Sequence, residues 1–375
     1  MRLVLFFTRD YGLKTWADAG ILEREVKLYQ RLQQLGVAVT FVTYGNDEDL
    51  QYVPLLAGIR ILCNRFSLSR KRYERWLPFL HAPYLWRADV FKTNQMEGAD
   101  IAVRTASIWN KPLIVRTGYS LADFTQQQHG IASQQHQRAR QLEQAVYQSA
   151  SAIIVTTPAM GDSISEYESQ YQEKTHIHPN FVDTEVFMPR REKPEWDLIF
   201  VGRLNPQKNL TSLLEAIRPL DVNLCVIGDG INADELKQTY GTLDGRVTWM
   251  GRIPHHDIPD YFARSRIYIL PSHYEGHPKT LIEAMACGMP VIGARSPGIQ
   301  EMIVDGVTGL LSEGTPESLA KKILQLKNNA DLQDKLGRSA RDFAVKTFSL
   351  QRIVQQEYDV ISNVVKHFTV NRPSY

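Results

Sequence analysis

The chain has 375 residues, of which 43% are hydrophobic and 22% charged, and its 43 Lys and Arg nearly balance its 41 Asp and Glu. This length exceeds one ordinary globular core and predicts two domains. The composition and the near-neutral charge exclude wholesale disorder and a protein that mainly coats nucleic acid, so no nucleic-acid partner is expected.

The first half of the chain alternates short apolar strands with helical patterns. Predicted strands are residues 3–7, 37–42, 90–92, 113–115 and 152–155. A glycine-containing loop at 12–20 follows the first strand, and a helix at 21–35 ends before Gly36. Strand–helix–strand units of this length predict a parallel sheet covered on both faces.

A charged, proline-containing stretch at 179–194 predicts a linker, after which the alternation restarts. Further strands are predicted at 198–201, 224–227, 247–250, 267–270, 290–293 and 310–311, and helices at 210–217, 234–240, 279–286, 316–328, 331–347 and 350–367. The predicted fold class is α/β, with two tandem Rossmann-like, doubly wound parallel-sheet domains, residues 1–185 and 186–351, facing a cleft. A C-terminal helix at about 352–375 is expected to pack back on the first domain.

The cysteines and the N-terminus indicate a cytoplasmic location. Cys63, Cys225 and Cys287 form neither a disulfide framework nor a zinc motif. The N-terminal apolar stretch is too short for the hydrophobic region of a signal peptide. No run of about 18 apolar residues is present, so no membrane-spanning helix is expected.

The most informative segment is PSHYEGHPKTLIEAMACGMP, residues 271–290. It begins as a loop after a predicted strand and becomes a helix, whose free N–H groups and positive dipole end favour an anion such as a diphosphate. Gly276 lets a ligand approach the backbone closely. Glu275 precedes the helix and Glu283 lies inside it, and carboxylates accept hydrogen bonds from paired sugar hydroxyls. For either Glu alone, pairing within its own helix is an equally good interpretation.

Two more loops follow predicted strands. In GRLNPQKN, residues 202–209, Gly202 permits a tight turn, and Arg203 and Lys208 could clamp both phosphates of a nucleotide diphosphate. The alternative is that both are solvated surface cations. The loop VIGDG, residues 226–230, suits close approach of a base or ribose, but alone it is a weak signal.

Together these motifs resemble those of the GT-B glycosyltransferases of family four, a group of retaining, nucleotide-sugar-dependent enzymes. The resemblance is carried by EGHPKTLIEAMACGMPVI with its E-x7-E pair, by GRLNPQKN and VIGDG, by GIQEMIVDGVTG at 298–309 and by NFVD at 180–183. It covers roughly residues 180–315 closely, and the first half of the chain only in architecture.

The resemblance implies a donor site in the second domain. The implied catalytic residues are Arg203 and Lys208, which would hold the donor diphosphate, and Glu275, which would contact the transferred sugar. Glu283 would bind the ribose hydroxyls, and the loop with Arg252 and Ile253 would face the base. The other implied donor-binding residues are Gly202, Gly228, Gly276, His277, Pro278, Lys279, Thr280 and Leu281.

The resemblance implies no metal ion and no cofactor besides the nucleotide-diphosphate sugar. The acceptor would attack from the leaving-group face and a phosphate oxygen would take its proton, so no protein base is required. The one literal DxD motif, at 47–49, is interpreted as a solvated charge cluster. The histidines at 255–256 and at 176 and 178 are interpreted as isolated polar loop residues rather than metal ligands.

The first domain would bind a glycan or a lipid-linked acceptor. Many members of the family have a His after the strand that corresponds to 113–115, whereas this chain has RTGY. Either Arg116 or Tyr119 faces the acceptor, or the substitution only shapes the cleft. Asn94 follows another strand. It either hydrogen-bonds a sugar acceptor or belongs to an ordinary turn. Gly12 lies where the family has a glycine-rich loop near the diphosphate.

Residues 60–92 combine eight Lys and Arg with interleaved aromatic residues such as Trp76, Phe79 and Trp86. This combination favours peripheral contact with an anionic membrane, at the inner face where a lipid-linked acceptor would lie. A helix with a solvated basic face is the simpler interpretation.

We therefore predict a retaining glycosyltransferase in polysaccharide or cell-envelope glycan synthesis. One alternative is a nucleotide-sugar-binding protein without transfer activity, against which only the intact set Arg203, Lys208, Glu275 and Glu283 argues. The other is a nicotinamide-dependent dehydrogenase, which would need G-x-G-x-x-G after the first strand. The loop there lacks that pattern.

Overall fold

The computed structural model describes residues 1–165, 167–190, 192–241, 243 and 245–370. Residue 191 of the predicted linker and residues 371–375 of the predicted C-terminal helix lie outside the described residues. The chain divides into two compact units. The first comprises Met1–His178 and the segment that starts at Val354, and the second comprises Pro179–Ile353.

The sheet of the first unit has seven parallel strands within the described residues, in the order β3-β2-β1-β4-β5-β6-β7. The strands are β1 (Arg2–Phe6), β2 (Ala38–Val42), β3 (Arg60–Leu62), β4 (Val90–Thr93), β5 (Leu113–Thr117), β6 (Ala152–Val155) and β7 (Thr175–Ile177). The helices between them are α1 (Leu13–Asp18), α2 (Leu22–Gln34), α3 (Arg70–Leu80), α4 (Ala82–Leu85), α5 (Ala99–Trp109), α6 (Leu121–His129), α7 (Gln134–Ser149) and α8 (Pro158–Ser165).

The sheet of the second unit has six parallel strands within the described residues, in the order β10-β9-β8-β11-β12-β13. They are β8 (Trp196–Val201), β9 (Leu224–Ile227), β10 (Val247–Gly251), β11 (Ser265–Leu270), β12 (Val291–Ala294) and β13 (Leu310–Ser312). The helices of this half are α9 (Leu210–Ile217), α10 (Ala233–Tyr240), α11 (Ile258–Ala263), α12 (Lys279–Ala286), α13 (Pro316–Lys327) and α14 (Ala330–Phe348), and α15 (Leu350–Val370) follows them.

Strands β6, β9 and β12 are apolar along their whole length, as expected where helices cover both faces of a sheet. Every residue of β6, β9 and β12 is buried. The predicted fold class, two tandem parallel-sheet α/β domains, is confirmed. Strands β3 and β7 were not predicted from the sequence; each has three residues, RIL and THI, and begins with a polar residue.

The stretch predicted to be a linker packs against the second unit. Val182 and Phe187 are buried in the core of that unit. The backbone of Val182 also exchanges hydrogen bonds with Phe348 and Leu350, at the end of α14 and the start of α15.

An ion pair is sealed inside the first unit. Lys92 of β4 donates to Glu357 of α15 at 2.5 Å, and their side chains are 0% and 1% exposed. His178 lies 3.4 Å from the other carboxylate oxygen. Burial alone would raise the pKa of Glu357, but the Lys92 cation and the nearby His178 hold it well below its usual range. The interpretation of His178 as an isolated loop residue is therefore wrong.

Both sheets reverse their strand order next to the first strand of the unit. In the first unit β1 lies between β2 and β4, and in the second β8 lies between β9 and β11. Ligands of doubly wound sheets bind outside the carboxyl ends of the strands at such a switch point. The loops after β1, β4, β8 and β11 are therefore where binding residues are expected. No described helix combines the length and the apolar character that crossing a bilayer requires.

Candidate functional site

Asn209 joins the loops at the switch point of the second unit. It lies in the loop after β8 with φ of +52°, a conformation that Asn tolerates better than most residues. Its buried side-chain amide donates to the carbonyl oxygen of Pro271 at 3.2 Å and to that of Gly314 at 3.0 Å. The loops after β8, β11 and β13 are thereby held together.

Gln207 adds two hydrogen bonds between the loops after β8 and β11. Its side-chain amide donates to the carbonyl oxygen of Tyr274 at 2.8 Å, and its backbone carbonyl oxygen accepts from the backbone N–H of His273 at 2.9 Å. These contacts fix the backbone next to Lys208 in the first loop and next to Glu275 in the second.

Lys208 and Glu275 meet at this switch point. Lys208 Nζ donates to Glu275 Oε1 at 2.5 Å, and the two side chains are 15% and 9% exposed. Two residues predicted from different motifs, 67 positions apart, thus form one charge pair that retains some access to solvent. Such a pair presents a cation and a hydrogen-bond acceptor side by side at a strand's carboxyl end.

The backbone around Glu275 is packed against the loop after β12. The N–H of Glu275 donates to the carbonyl oxygen of Pro297 at 3.0 Å. Gly298 has φ of +77°, and a Cβ there would lie 2.1 Å from the carbonyl oxygen of Glu275. Only glycine fits this approach, which explains the first residue of the 298–309 motif.

Helix α12 begins four residues after Glu275. Its N-cap is Pro278, which has no side-chain oxygen to satisfy the first N–H groups of the helix. The preceding loop is held by Asn180, whose side chain donates to the carbonyl oxygen of His277 at 2.7 Å. Thr280 in the first turn exchanges a hydrogen bond with Tyr268 at 2.8 Å, and Leu281 is fully buried. The helix start is therefore fixed in place.

Glu283 lies one turn into α12 and forms a second pair. Its carboxylate is almost fully buried and its Oε1 lies 2.8 Å from Nε2 of His255, in the turn after β10. The ring of His255 packs against Phe187 at 5.1 Å between centroids. His255 was interpreted as an isolated polar residue, and this contact shows that interpretation to be wrong.

The loops after β8, β9 and β10 pack tightly on one another. Gly228 has φ of +131°, and a Cβ there would lie 1.9 Å from the carbonyl oxygen of Gly202. Its N–H donates to the carbonyl oxygen of Gly251 at 2.7 Å. Next to these glycines, Arg252 is exposed and lies 3.5 Å from Asp229, and Ile253 is half-buried against the core.

Arg203 stands apart from the Lys208–Glu275 pair. Its side chain is exposed and makes no ion pair or side-chain hydrogen bond within the described part of the chain. The structure thus brings Lys208, Glu275, Gly276 and the start of α12 into one loop system. Arg203 belongs to the same loop as Lys208, with its side chain exposed to solvent.

The switch point of the first unit holds the predicted acceptor residues. Asn94 follows β4, and its side chain donates to Thr8 Oγ1, after β1, at 3.2 Å. Gln95 Oε1 accepts from the backbone of Gly118, after β5, at 2.9 Å. The loops after β1, β4 and β5 are therefore joined by polar side chains.

Arg116 is the fourth residue of β5 and is half-buried, and its backbone N–H donates to Thr93 at 3.0 Å. Tyr119 contacts Phe124 edge to face at 5.7 Å. Burial, with a smaller contribution from Glu97, raises the pKa of Tyr119 to about 12.

The acidic motif at 47–49 is not a solvated cluster throughout. Asp49 is buried, and its carboxylate accepts from Thr43 Oγ1 at 2.6 Å and from the backbone of Lys14 at 3.1 Å. Gly12 is the N-cap of α1, and its N–H donates to Thr15 Oγ1 at 3.2 Å. Asp49 therefore holds the start of α1, and the sequence interpretation was wrong for this residue.

Four polar residues that hold the loops together were not predicted from the sequence. These are Asn180, Gln207, Asn209 and His255, which make the contacts given above. Three of them lie within motifs already recognised, because GRLNPQKN contains Gln207 and Asn209 and NFVD begins with Asn180. The side chains of these three donate to backbone carbonyls of distant loops, and His255 contacts the Glu283 carboxylate. No local pattern reveals such partners.

Two family models match the chain, one in each half. The model described as Glycosyltransferase Family 4 matches residues 26–186, and the model described as Glycosyl transferases group 1 matches residues 182–343. Each covers less than half of the chain, and together they run from residue 26 to residue 343.

Several curated proteins are similar to this chain. An uncharacterised glycosyltransferase of Methanocaldococcus jannaschii is 34% identical over 42% of the chain and 45% of its own length. N-acetyl-alpha-D-glucosaminyl L-malate synthase of Bacillus anthracis is 29% identical over 50% and 53%. O-antigen chain mannosyltransferase B of Escherichia coli is 31% identical over 42% and 43%. The chain spans about half the length of these relatives.

Solved structures match almost the whole chain. Sucrose-phosphate synthase of Thermosynechococcus elongatus has a TM-score of 0.77 at 20% identity and covers 98% of this chain and 100% of its own. HepE of Anabaena in complex with UDP has a TM-score of 0.76 at 19% identity, with 97% and 100% covered. At these identities the likeness shows the fold, which is that of two-domain GT-B glycosyltransferases.

Proposed function

Since the chain belongs to the GT-B glycosyltransferases, we propose that it transfers a sugar from a nucleotide-diphosphate donor to a glycan or lipid-linked acceptor, with retention of anomeric configuration and without a metal ion. The observation that carries this proposal is the Lys208–Glu275 pair, 2.5 Å apart at the switch point of the second unit.

The donor diphosphate replaces Glu275 as the partner of the Lys208 ammonium group. Before the donor binds, Glu275 satisfies that cation. A diphosphate carries more charge than a carboxylate and also accepts N–H bonds from the start of α12, so it competes well for the site. Arg203 is the second cation for the diphosphate, since its side chain has no other partner within the described residues.

Glu275, released from Lys208, accepts hydrogen bonds from hydroxyls of the transferred sugar. Glu283 accepts from the ribose hydroxyls, and the loop with Arg252 and Ile253 faces the base. Uridine is the first candidate base, because HepE, which shares the fold, has been solved with UDP and with UDP-glucose.

In the transfer step, the bond between the anomeric carbon and the bridging phosphate oxygen breaks. The pair of electrons leaves on the diphosphate, whose developing charge Lys208, Arg203 and the α12 amides stabilise. The acceptor oxygen forms its bond to the anomeric carbon from the same face, and its proton passes to the departing phosphate oxygen. The products are the glycoside and the nucleoside diphosphate, and no protein base takes part.

The proposal is tested by melting the purified protein with UDP-, GDP-, ADP- and dTDP-sugars. A ligand present at about 100 times its Kd stabilises the folded state by about 2.7 kcal/mol, so the right donor raises Tm. We expect a UDP-sugar to give the largest shift, and product analysis by mass spectrometry to find the same transfer with and without EDTA.

The runner-up function, nucleotide-sugar binding without transfer, gives a different result. It predicts the same rise in Tm but no glycoside with any acceptor. A chain whose Tm responds to none of the four donors would contradict both functions.

A further inference from the structure

Helix α3 presents a continuous stripe of basic and aromatic side chains to solvent. Arg72, Arg75, Trp76 and Phe79 are all exposed and follow the spacing of one helix face. Trp76 and Phe79 are 53% and 54% exposed, and their rings contact each other at 6.1 Å. Large aromatic residues in a folded protein are seldom left so open to water.

The stripe continues beyond the ends of the helix. Phe66 precedes it, and Tyr84 and Trp86 follow it in and after α4, all exposed. Phe66, Trp76, Phe79 and Trp86 are four of the five exposed Phe and Trp side chains among the described residues. We call the exposed side chains between Arg65 and Arg87 the α3 surface.

The charge of the α3 surface is of one sign. Lys71, Arg72 and Arg75 are exposed and have no carboxylate partner in the described ranges of the chain. Arg70 pairs with Asp10 at 2.8 Å. The surface therefore offers unneutralised cations directly beside exposed aromatic rings.

The opposite face of α3 is fixed to the first unit. Tyr73 and Leu77 are buried in its core. Glu74 accepts from Arg9, in the loop after β1, at 2.9 Å. Trp109 of α5 donates to the carbonyl oxygen of Pro78 at 3.0 Å. The α3 surface is thus held in place before any partner arrives.

We propose that the α3 surface docks the protein onto an anionic lipid bilayer. Guanidinium groups bind lipid phosphates, and Trp and Phe side chains insert at the level of the headgroups, so both components of the surface are used. Single-stranded RNA also binds through cations and stacked rings, but the near-neutral chain, with 43 Lys and Arg against 41 Asp and Glu, does not favour a nucleic-acid partner. An anionic bilayer engages both components of the α3 surface at once. This docking goes beyond the proposed function, because it requires no sugar transfer.

The test is co-sedimentation of the whole chain with phosphatidylcholine vesicles with and without phosphatidylglycerol. We expect binding only to the anionic vesicles, and release when salt is raised to about 0.5 M, because salt screens exposed charges. Reversing the three unpaired cations (Lys71→Glu, Arg72→Glu, Arg75→Glu) should lower the partition coefficient by at least about 100-fold.

The matched control is Lys335→Glu with Arg338→Glu, two exposed cations of α14 in the second unit. It should bind vesicles nearly as the unmodified chain does. Trp76→Ser with Phe79→Ser should weaken binding about 10-fold or more at unchanged charge, whereas Ile231→Ser, at another exposed apolar residue, should not.

Three results would overturn the proposal. One is equal binding of the triple variant and the unmodified chain to anionic vesicles. Another is equal binding to vesicles with and without phosphatidylglycerol. The third is a loss of affinity for single-stranded RNA in the triple variant while vesicle binding stays the same, which would assign the surface to nucleic acid. Donor-induced Tm shifts, measured in parallel, report the proposed function separately.

Discussion

The two units each contain a Lys–Glu pair whose nitrogen and oxygen lie 2.5 Å apart, but the pairs differ in their surroundings. Lys92–Glu357 lies inside the first unit, with side chains 0% and 1% exposed. Lys208–Glu275 lies at the carboxyl ends of β8 and β11, with side chains 15% and 9% exposed. The same chemical groups at the same distance therefore have different access to a ligand.

Position on the sheet, and not the pair itself, therefore separates a structural contact from a candidate site. Lys92 lies buried within β4, where no ligand reaches it, and His178 lies 3.4 Å from the carboxylate of its partner Glu357. Lys208 lies in a loop where a diphosphate can displace the carboxylate. The first pair should affect stability, and the second should affect transfer.

Removing one member of the sealed pair should have the largest effect. Lys92→Met leaves the Glu357 carboxylate buried without its main cation, and we expect a loss of about 3–5 kcal/mol in the free energy of unfolding. Urea unfolding measures it. The double variant Lys92→Met, Glu357→Leu should recover most of the loss, and a double variant as unstable as the single one would contradict this reading of the pair.

The pair at the switch point should behave in the opposite way. Lys208→Ala should lower turnover by about 100-fold or more, because it removes charge stabilisation of the leaving group, and should leave Tm little changed. Arg203→Ala should have a similar effect on turnover. Lys237→Ala, at an exposed cation of α10, is the control. Turnover near that of the unmodified chain in either variant would remove that residue from the site.

The sealed pair should also make stability depend on acid pH. Because the folded-state pKa of Glu357 lies below its ordinary value, the stabilisation is complete above the ordinary carboxyl pKa. It is lost as pH falls below that value, by up to about 1.4 kcal/mol per pH unit. Relative to the double variant, the unmodified chain should therefore lose stability below about pH 4.5. A difference independent of pH would show that Glu357 titrates normally.

The smallest effect is expected from the His255–Glu283 contact. His255 orients the carboxylate that we propose binds ribose, so His255→Ala should raise the donor KM about 10-fold with a smaller change in kcat, as expected for lost positioning. His255→Gln, which keeps a side-chain donor, should restore part of the affinity. An unchanged KM in the Ala variant would show that Glu283 does not depend on His255.

Much of the fold could be predicted because it rests on local patterns. The apolar runs at 152–155 and 224–227 became β6 and β9 with the predicted bounds, and the helix at 279–286 became α12. The motifs also predicted correctly that Lys208 and Glu275 lie in loops that follow strands. The roles of these residues in donor binding stay predictions.

Contacts between distant segments could not be predicted. Asp49 was taken for a surface residue, yet α1 and Thr43 bury its carboxylate. The interpretation of His178 missed Glu357, which lies 179 positions further along the chain and 3.4 Å away. Nothing in the neighbourhood of either residue in the sequence marks the partner.

The sequence by itself determined where most of the strands, most helices of the second unit and the glycine loops lie, because backbone propensity and apolar periodicity act over a few residues. Only the tertiary structure decided which charges meet. Strand order and parallel register bring the loops after β8 and β11 together, and they enclose Lys92 beside α15. Those neighbours depend on packing across the whole sheet, and packing sets the burial that separates a sealed ion pair from one open to a ligand.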